Sequence, residues 1–79
     1  MATLLLFGPA RSAAGRGRAE IEARTVGELC DAARRQFGEG FAEVLAASAL
    51  WLNGEPVDGD PAVSAGDEVA VLPPVSGGA

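Results

Sequence analysis

The first readable segment is Thr3-Leu4-Leu5-Leu6-Phe7, where apolar side chains fall in both alternating registers. A short run of this kind predicts a central strand, covered on both faces. Arg18 to Ala23 alternates instead, with Ala19, Ile21 and Ala23 on one face and Glu20 and Glu22 on the other. That period predicts a half-exposed strand, the hairpin partner of the first. Between them, Gly8 to Gly17 reads as a loop of Gly, Ala and Arg.

Beyond Thr25 the period lengthens. Val26, Leu29, Cys30, Ala33 and Phe37 recur at the spacing of one buried helical face. Thr25 and Glu28 fit a capping box: the threonine hydroxyl accepts from the amide three residues on, and the glutamate reaches back. Gly38 is placed to end this helix in a left-handed cap. Phe41, Val44 and Leu45 predict a second, shorter helix. Ser48 to Leu52 reads as a third strand, turned at Asn53-Gly54 into a short strand over Glu55 to Val57. Asp58 to Pro61 connects onward, and Ser64-Ala65-Gly66-Asp67 turns the chain into a last strand, Glu68 to Leu72. The order indicates an α+β fold, with one principal helix packed across one face of a mixed sheet.

Seventy-nine residues make one domain. Residues 1–72 hold every predicted element, and 73–79 form an extended tail. With 48% hydrophobic but only 5% aromatic residues, the core must be built from Leu, Val, Ala and three Phe. Such a core leaves little room for a deep ligand cavity. The formal net charge is −5 and lysine is absent, all six positive side chains being Arg. This balance disfavours nucleic-acid binding and favours a basic partner surface. The single cysteine, Cys30, excludes an internal disulfide. The opening apolar run has no positive flank and ends at Gly8-Pro9, too short for a signal peptide or a membrane span. The cytoplasm is the expected compartment.

Several chemistries are missing. Without histidine there is no imidazole base, no His-based triad and no HExxH metal site. Without lysine there is no Walker A loop or Schiff base. Gly15-Arg16-Gly17 begins like a dinucleotide fingerprint, but it lies in a loop before a strand. Cys30 shares the apolar helical stripe and reads as an inert core thiol. Asp58, Asp60, Asp67 and Glu68 flank turns and read as solvated acids rather than metal ligands.

The tail is the remaining feature: Pro73, Pro74, Val75, Ser76, Gly77, Gly78, Ala79. Two prolines cannot donate to a ladder, so pairing stops there. Two glycines remove all side-chain bulk near the end. Extended, Pro74 to Ala79 spans about 20 Å. A slim unpaired tail suits entry into a partner's tunnel; a frayed terminus is the ordinary alternative.

Trp51-Leu52-Asn53-Gly54-Glu55-Pro56-Val57, and Ala65-Gly66-Asp67-Glu68 through the Pro-Pro-Val-Ser-Gly-Gly ending, resemble the C-terminal half of the MoaD/ThiS sulfur carriers. The Thr-Val-Gly-Glu-Leu helix start at Thr25 and the opening strand ending in Phe7 extend the likeness over essentially the whole chain. The Pro-Pro-Val-x-Gly-Gly tail is more like the molybdopterin-synthase small subunit than the thiazole-forming carrier. The resemblance implies a β-grasp, ubiquitin-like fold with no bound cofactor. It implies a C-terminal glycine carboxylate, here that of Gly78 next to Gly77, activated with ATP by an E1-like adenylyltransferase and converted to a thiocarboxylate. The tail, Pro73 to Ser76, would thread into the large subunit of molybdopterin synthase. The resemblance also implies partner docking through an apolar patch on the open sheet face, at Phe7, Leu72 and Pro56; Arg11 reads either as the mate of an acidic group on a partner or, more simply, as a solvated loop arginine.

Ala79 departs from that family, since the reactive carboxylate belongs to the second glycine. One extra residue displaces it by about 3.5 Å, as large as the approach distance the reaction needs. Removal of Ala79 by a trimming protease is therefore expected. Two other readings stand beside this one: a carrier serving cysteine, thiamin or a secondary metabolite, and a ubiquitin-like modifier or inert β-grasp module.

Overall fold

The computed structural model describes residues 1–73. Its elements run β1 (Ala2–Leu6), α1 (Gly8–Ala14), β2 (Arg18–Ile21), α2 (Val26–Phe37), α3 (Glu39–Ala46), β3 (Ala49–Leu52), β4 (Glu55–Pro56) and β5 (Glu68–Leu72). The strands form one sheet in the order β2-β1-β5-β3-β4. β1 runs parallel to β5, with Leu4 opposite Val69 and Leu6 opposite Val71; the other three pairings are antiparallel. The last strand is therefore the middle of the sheet. This is the β-grasp arrangement, a mixed sheet holding its helices against one face.

The inward register of each strand supplies the core. Leu4, Leu6, Val69 and Val71 are fully buried, together with Leu29 of α2 and Phe41 of α3. At about 1.5–3 kcal/mol for each such side chain, this layer provides most of the drive to fold. Phe37 and Phe41 meet across the α2–α3 junction with ring centroids 5.1 Å apart and planes tilted by 59°. Gly38 joins the two helices: its N–H donates to the Arg34 carbonyl, and its own carbonyl accepts from Ala42. Its backbone, at φ 93 and ψ −174, is not the left-handed cap expected from sequence. It is an extended conformation open only to glycine, which lets α3 start at once.

Thr25 caps α2 as expected, its hydroxyl accepting from Glu28 N at 3.1 Å. Glu28 reaches one residue further back than a capping box requires, to Arg24 N at 3.0 Å. Opposite this helix start, Asp60 Oδ1 accepts from Gly27 N at 2.7 Å, and Val26 N donates to the Pro61 carbonyl. The 58–63 connection is thus pinned onto the positive end of α2, where Val63 enters the core.

Three expectations need correction. Gly8 to Gly17 is not a plain loop: Pro9 in the first turn and Gly15 in a left-handed cap (φ 77, ψ 14) bound helix α1, whose Ala10 is buried. β1 is internal, but its second face carries no helix, and Phe7 lies past the strand as the N-cap of α1. β2 stops at Ile21, β3 starts at Ala49 and β4 stops at Pro56, each slightly shorter than the sequence reading. At the β3–β4 turn, Asn53 (φ 50) and Gly54 (φ 87) both have positive φ, the conformation that an Asn-Gly hairpin favours.

Candidate functional site

β5 ends beside the β1–α1 turn. Phe7 N donates to the Val71 carbonyl at 3.2 Å, and Leu72 is the last residue to pair, with Ala49 of β3. Pro73 follows with no N–H to give, and its ring lies against Gly8. A Cβ on Gly8 would stand 2.9 Å from Pro73 Cγ, and Gly8 itself has φ +54. Gly8 is therefore needed twice, for the turn into α1 and for room at the root of the tail. Beside that root, Pro9, Glu43, Val44, Ala47 and Ser48 line an open groove of about 410 Å³.

The sheet face away from the helices is built in three rows, following the strand registers. Farthest from the tail root, Thr3 lies between Glu20 and Glu68; its hydroxyl donates to the Glu20 carboxylate, which also pairs with Arg18 at 3.3 Å. The middle row runs Arg18, Leu5, Ala70, Trp51, Pro56. In the last row, nearest Pro73, Leu72 is level with Ala49, and Phe7, just past β1, donates its N–H to the neighbouring Val71 carbonyl. Leu5, Trp51 and Leu72 are half-buried, Pro56 is exposed, and Phe7 is 44% exposed. None of these side chains packs against the core cluster. The face thus changes from charged to apolar toward the point where the tail leaves.

Of the patch residues that the resemblance implied, Leu72 is at the end of the central strand β5, Phe7 lies just past β1 beside it, and Pro56 stands at the far edge on β4. Leu5, Ala49, Trp51 and Ala70 share this face, and sequence reasoning missed them. Period-2 alternation from Phe7 back to Leu5, and from Leu72 back to Ala70, carried the signal. Arg11 stands on α1 rather than on the sheet, its guanidinium lying across Gly17: a Cβ there would come within 3.4 Å of Arg11 Nε. Arg11 has no ion-pair partner among the described residues. The tail positions Pro74, Val75, Ser76, Gly77, Gly78 and Ala79 lie outside the described residues.

Other candidate groups have structural roles. Cys30 is buried on α2, where burial pushes its thiol above the ordinary value, an effect that Arg34 partly opposes. Asp67 accepts from Asn53 Nδ2 at 3.1 Å and from Ser64 N at 2.8 Å. Those hydrogen bonds, the Asn53 one foremost, hold its carboxyl below the usual range. Asn53 Oδ1 in turn accepts from Glu68 N, so the hairpin turn is tied to the start of β5. Among the described residues no helix is long and apolar enough to cross a membrane, and no cluster of His, Cys, Asp or Glu is arranged to hold a metal.

The ThiS family model matches residues 4–78. No curated protein matches the chain. Among solved structures, SAMP1 from Haloferax volcanii is 30% identical with a TM-score of 0.76, covering 98% of both chains. Subunit 1 in the complex of subunits 1 and 2 of the molybdopterin-converting factor from Helicobacter pylori is 31% identical, with a TM-score of 0.72 over 98% of this chain and 97% of that one. A putative molybdopterin converting factor subunit 1 from Pyrococcus furiosus is 30% identical, with a TM-score of 0.81 over 94% and 97%.

Proposed function

Since the chain belongs to the ThiS family of ubiquitin-like sulfur carriers, we propose that it donates sulfur from a thiocarboxylate at Gly78 in molybdopterin formation, with Ala79 removed first. The observation that carries this reading is the apolar face running up to Pro73, the residue from which the Gly-Gly tail departs. A partner seated on Phe7, Leu5, Leu72 and Trp51 receives the tail at the edge of its own footprint. Proline restricts φ, and fewer backbone states to order lower the cost of threading such a tail to a distant site. The glycines allow the partner's walls to close on backbone alone.

The division of labour follows from composition. The chain has no histidine or lysine, and its thiol is buried. This fits the reading in which acid–base groups and the nucleotide site belong to the partners. An E1-like adenylyltransferase uses ATP to activate the Gly78 carboxylate, and sulfur transfer replaces one of its oxygens. The large subunit of molybdopterin synthase then accepts the loaded tail, in the manner suggested by the two-subunit Helicobacter pylori complex. Arg11, held over Gly17 with no ion-pair partner among the described residues, meets an acidic group on one of these partners.

The test is mass spectrometry on the chain recovered from its native host. The expected species ends at Gly78 and carries the mass gain of one oxygen-for-sulfur exchange. Recovery of the unexchanged chain under active molybdopterin synthesis, with Ala79 still attached, would overturn the proposal. A second reading, a ubiquitin-like modifier, draws support from the likeness to a small archaeal modifier protein of Haloferax volcanii. It predicts isopeptide adducts on other proteins instead.

A further inference from the structure

An activated carboxyl is attacked by whatever nucleophile reaches it, and a protein surface normally offers many. Lysine amines are the usual captors, with thiolates second and base-assisted hydroxyls third. This chain has none of the first, because all six cationic side chains are guanidinium groups rather than amines. Its one thiol, Cys30, is on the inner face of α2, and burial raises its pKa and so suppresses the reactive thiolate. The Thr3, Ser48 and Ser64 hydroxyls direct their protons to Glu20, the Val44 carbonyl and Asp67. No histidine is present to activate any other hydroxyl.

We propose that the chain is an obligate donor: neither its own copy nor a second copy offers a side chain that captures the activated carboxyl. Apart from capture by the Met1 α-amino group, the acyl group leaves only to an incoming sulfur donor, to water or to a partner's nucleophile. If the chain is ever joined to another protein, no second copy can branch from one of its side chains, because none carries an amine. This inference rests on Gly78 being the activated position, so its test generates the activated species chemically.

A chain ending at Gly78, with its α-amino group acetylated, is converted to a C-terminal thioester of mercaptoethanesulfonate and held concentrated at mildly alkaline pH. Capture would proceed by attack of an amine nitrogen on the acyl carbon. The C–S bond breaks, and the thiol leaves with the proton that nitrogen releases. Intact-mass spectrometry and peptide mapping follow the products. The wild-type chain should give only the hydrolysed carboxylate, with surviving thioester titratable by free cysteine. The exposed-site variants Arg16→Lys and Arg35→Lys should each give cyclic or dimeric products joined at the new lysine. Tethering to the same chain supplies roughly millimolar effective concentration, so these adducts should exceed the wild-type background at least about ten-fold. Adducts mapped to any side chain of the wild type overturn the proposal, as does their absence from both lysine variants. Because no activating enzyme or pterin acceptor takes part, failure of the sulfur-carrier reading would leave this result interpretable.

Discussion

Gly8→Ala tests whether the tail root and the sheet are built as one unit. The alanine must adopt φ +54, which is about 1–2 kcal/mol less favourable for an L-residue. Its Cβ must also stand 2.9 Å from Pro73 Cγ, well inside normal carbon contact. Overpacking of that kind adds up to about 1–3 kcal/mol where the neighbour cannot move. Pro73 is exposed, so its ring can yield, at the expense of redirecting the tail. Loss of unfolded-state freedom returns about 0.4–1 kcal/mol. The net destabilisation is about 1–3 kcal/mol, or roughly 4 to 24 °C in melting temperature for a domain of this size. Urea and thermal denaturation measure it, in a cycle with Pro73→Ala. In the Pro73→Ala background the contact disappears, and only the backbone part, about 1–2 kcal/mol before the unfolded-state correction, should remain. The strain and contact argument is refuted if Gly8→Ala melts within about 0.5 kcal/mol of wild type. Equal effects in the two backgrounds would show that Pro73 does not feel the new methyl group.

Three further outcomes are expected. Asp60→Ala removes the acceptor for Gly27 N at the start of α2 and should lower urea stability by about 1 kcal/mol, with Asp60→Asn retaining part of it. Asp67 has its folded-state pKa depressed by Asn53 and Ser64, so its contribution is complete above the ordinary carboxylate pKa. It is lost as pH falls through the lower folded value; urea midpoints across the acid range should therefore fall less steeply in Asp67→Asn than in wild type. Leu5→Glu places a charge in the middle row of the open face, away from the core. It should keep the far-UV spectrum while weakening binding to a molybdopterin-synthase large subunit at least about ten-fold in titration calorimetry, which is about 1.4 kcal/mol.

Helix α2 was legible in its start and its buried face because those signals are local, a threonine cap, a glutamate three residues on, and one apolar stripe, whereas the Gly38 conformation at its end is set by the immediate start of α3. The Asn53-Gly54 turn was legible for the same reason, since its two positive φ angles demand those residues. α1 was missed because seven residues of Gly, Pro, Arg, Ser and Ala show no apolar stripe; only Pro9 at its start and Gly15 at its end marked it. The open face was half legible. Apolar residues in both registers of Thr3–Phe7 suggested cover on both sides, whereas the structure covers one. Which residues share the uncovered side depends on strand order, and β5 entering between β1 and β3 is a long-range event that no local period encodes. Thus Phe7 and Leu72 came from resemblance, Leu5 and Ala70 could have followed from them by alternation, and Trp51 and Ala49 needed the register.

That central position of β5 also governs how the domain assembles. Bringing Glu68 beside Thr3 closes a loop on the order of sixty residues, an entropic penalty of roughly 3–4 kcal/mol beyond the constant term. Until it is met, β2–β1 and β3–β4 are separate hairpins without a shared floor. Folding is thus expected to be slow and all-or-none. A copy eroded back past Leu72 loses its keystone rather than an edge, and is expected to unravel instead of persisting as a folded domain without its tail.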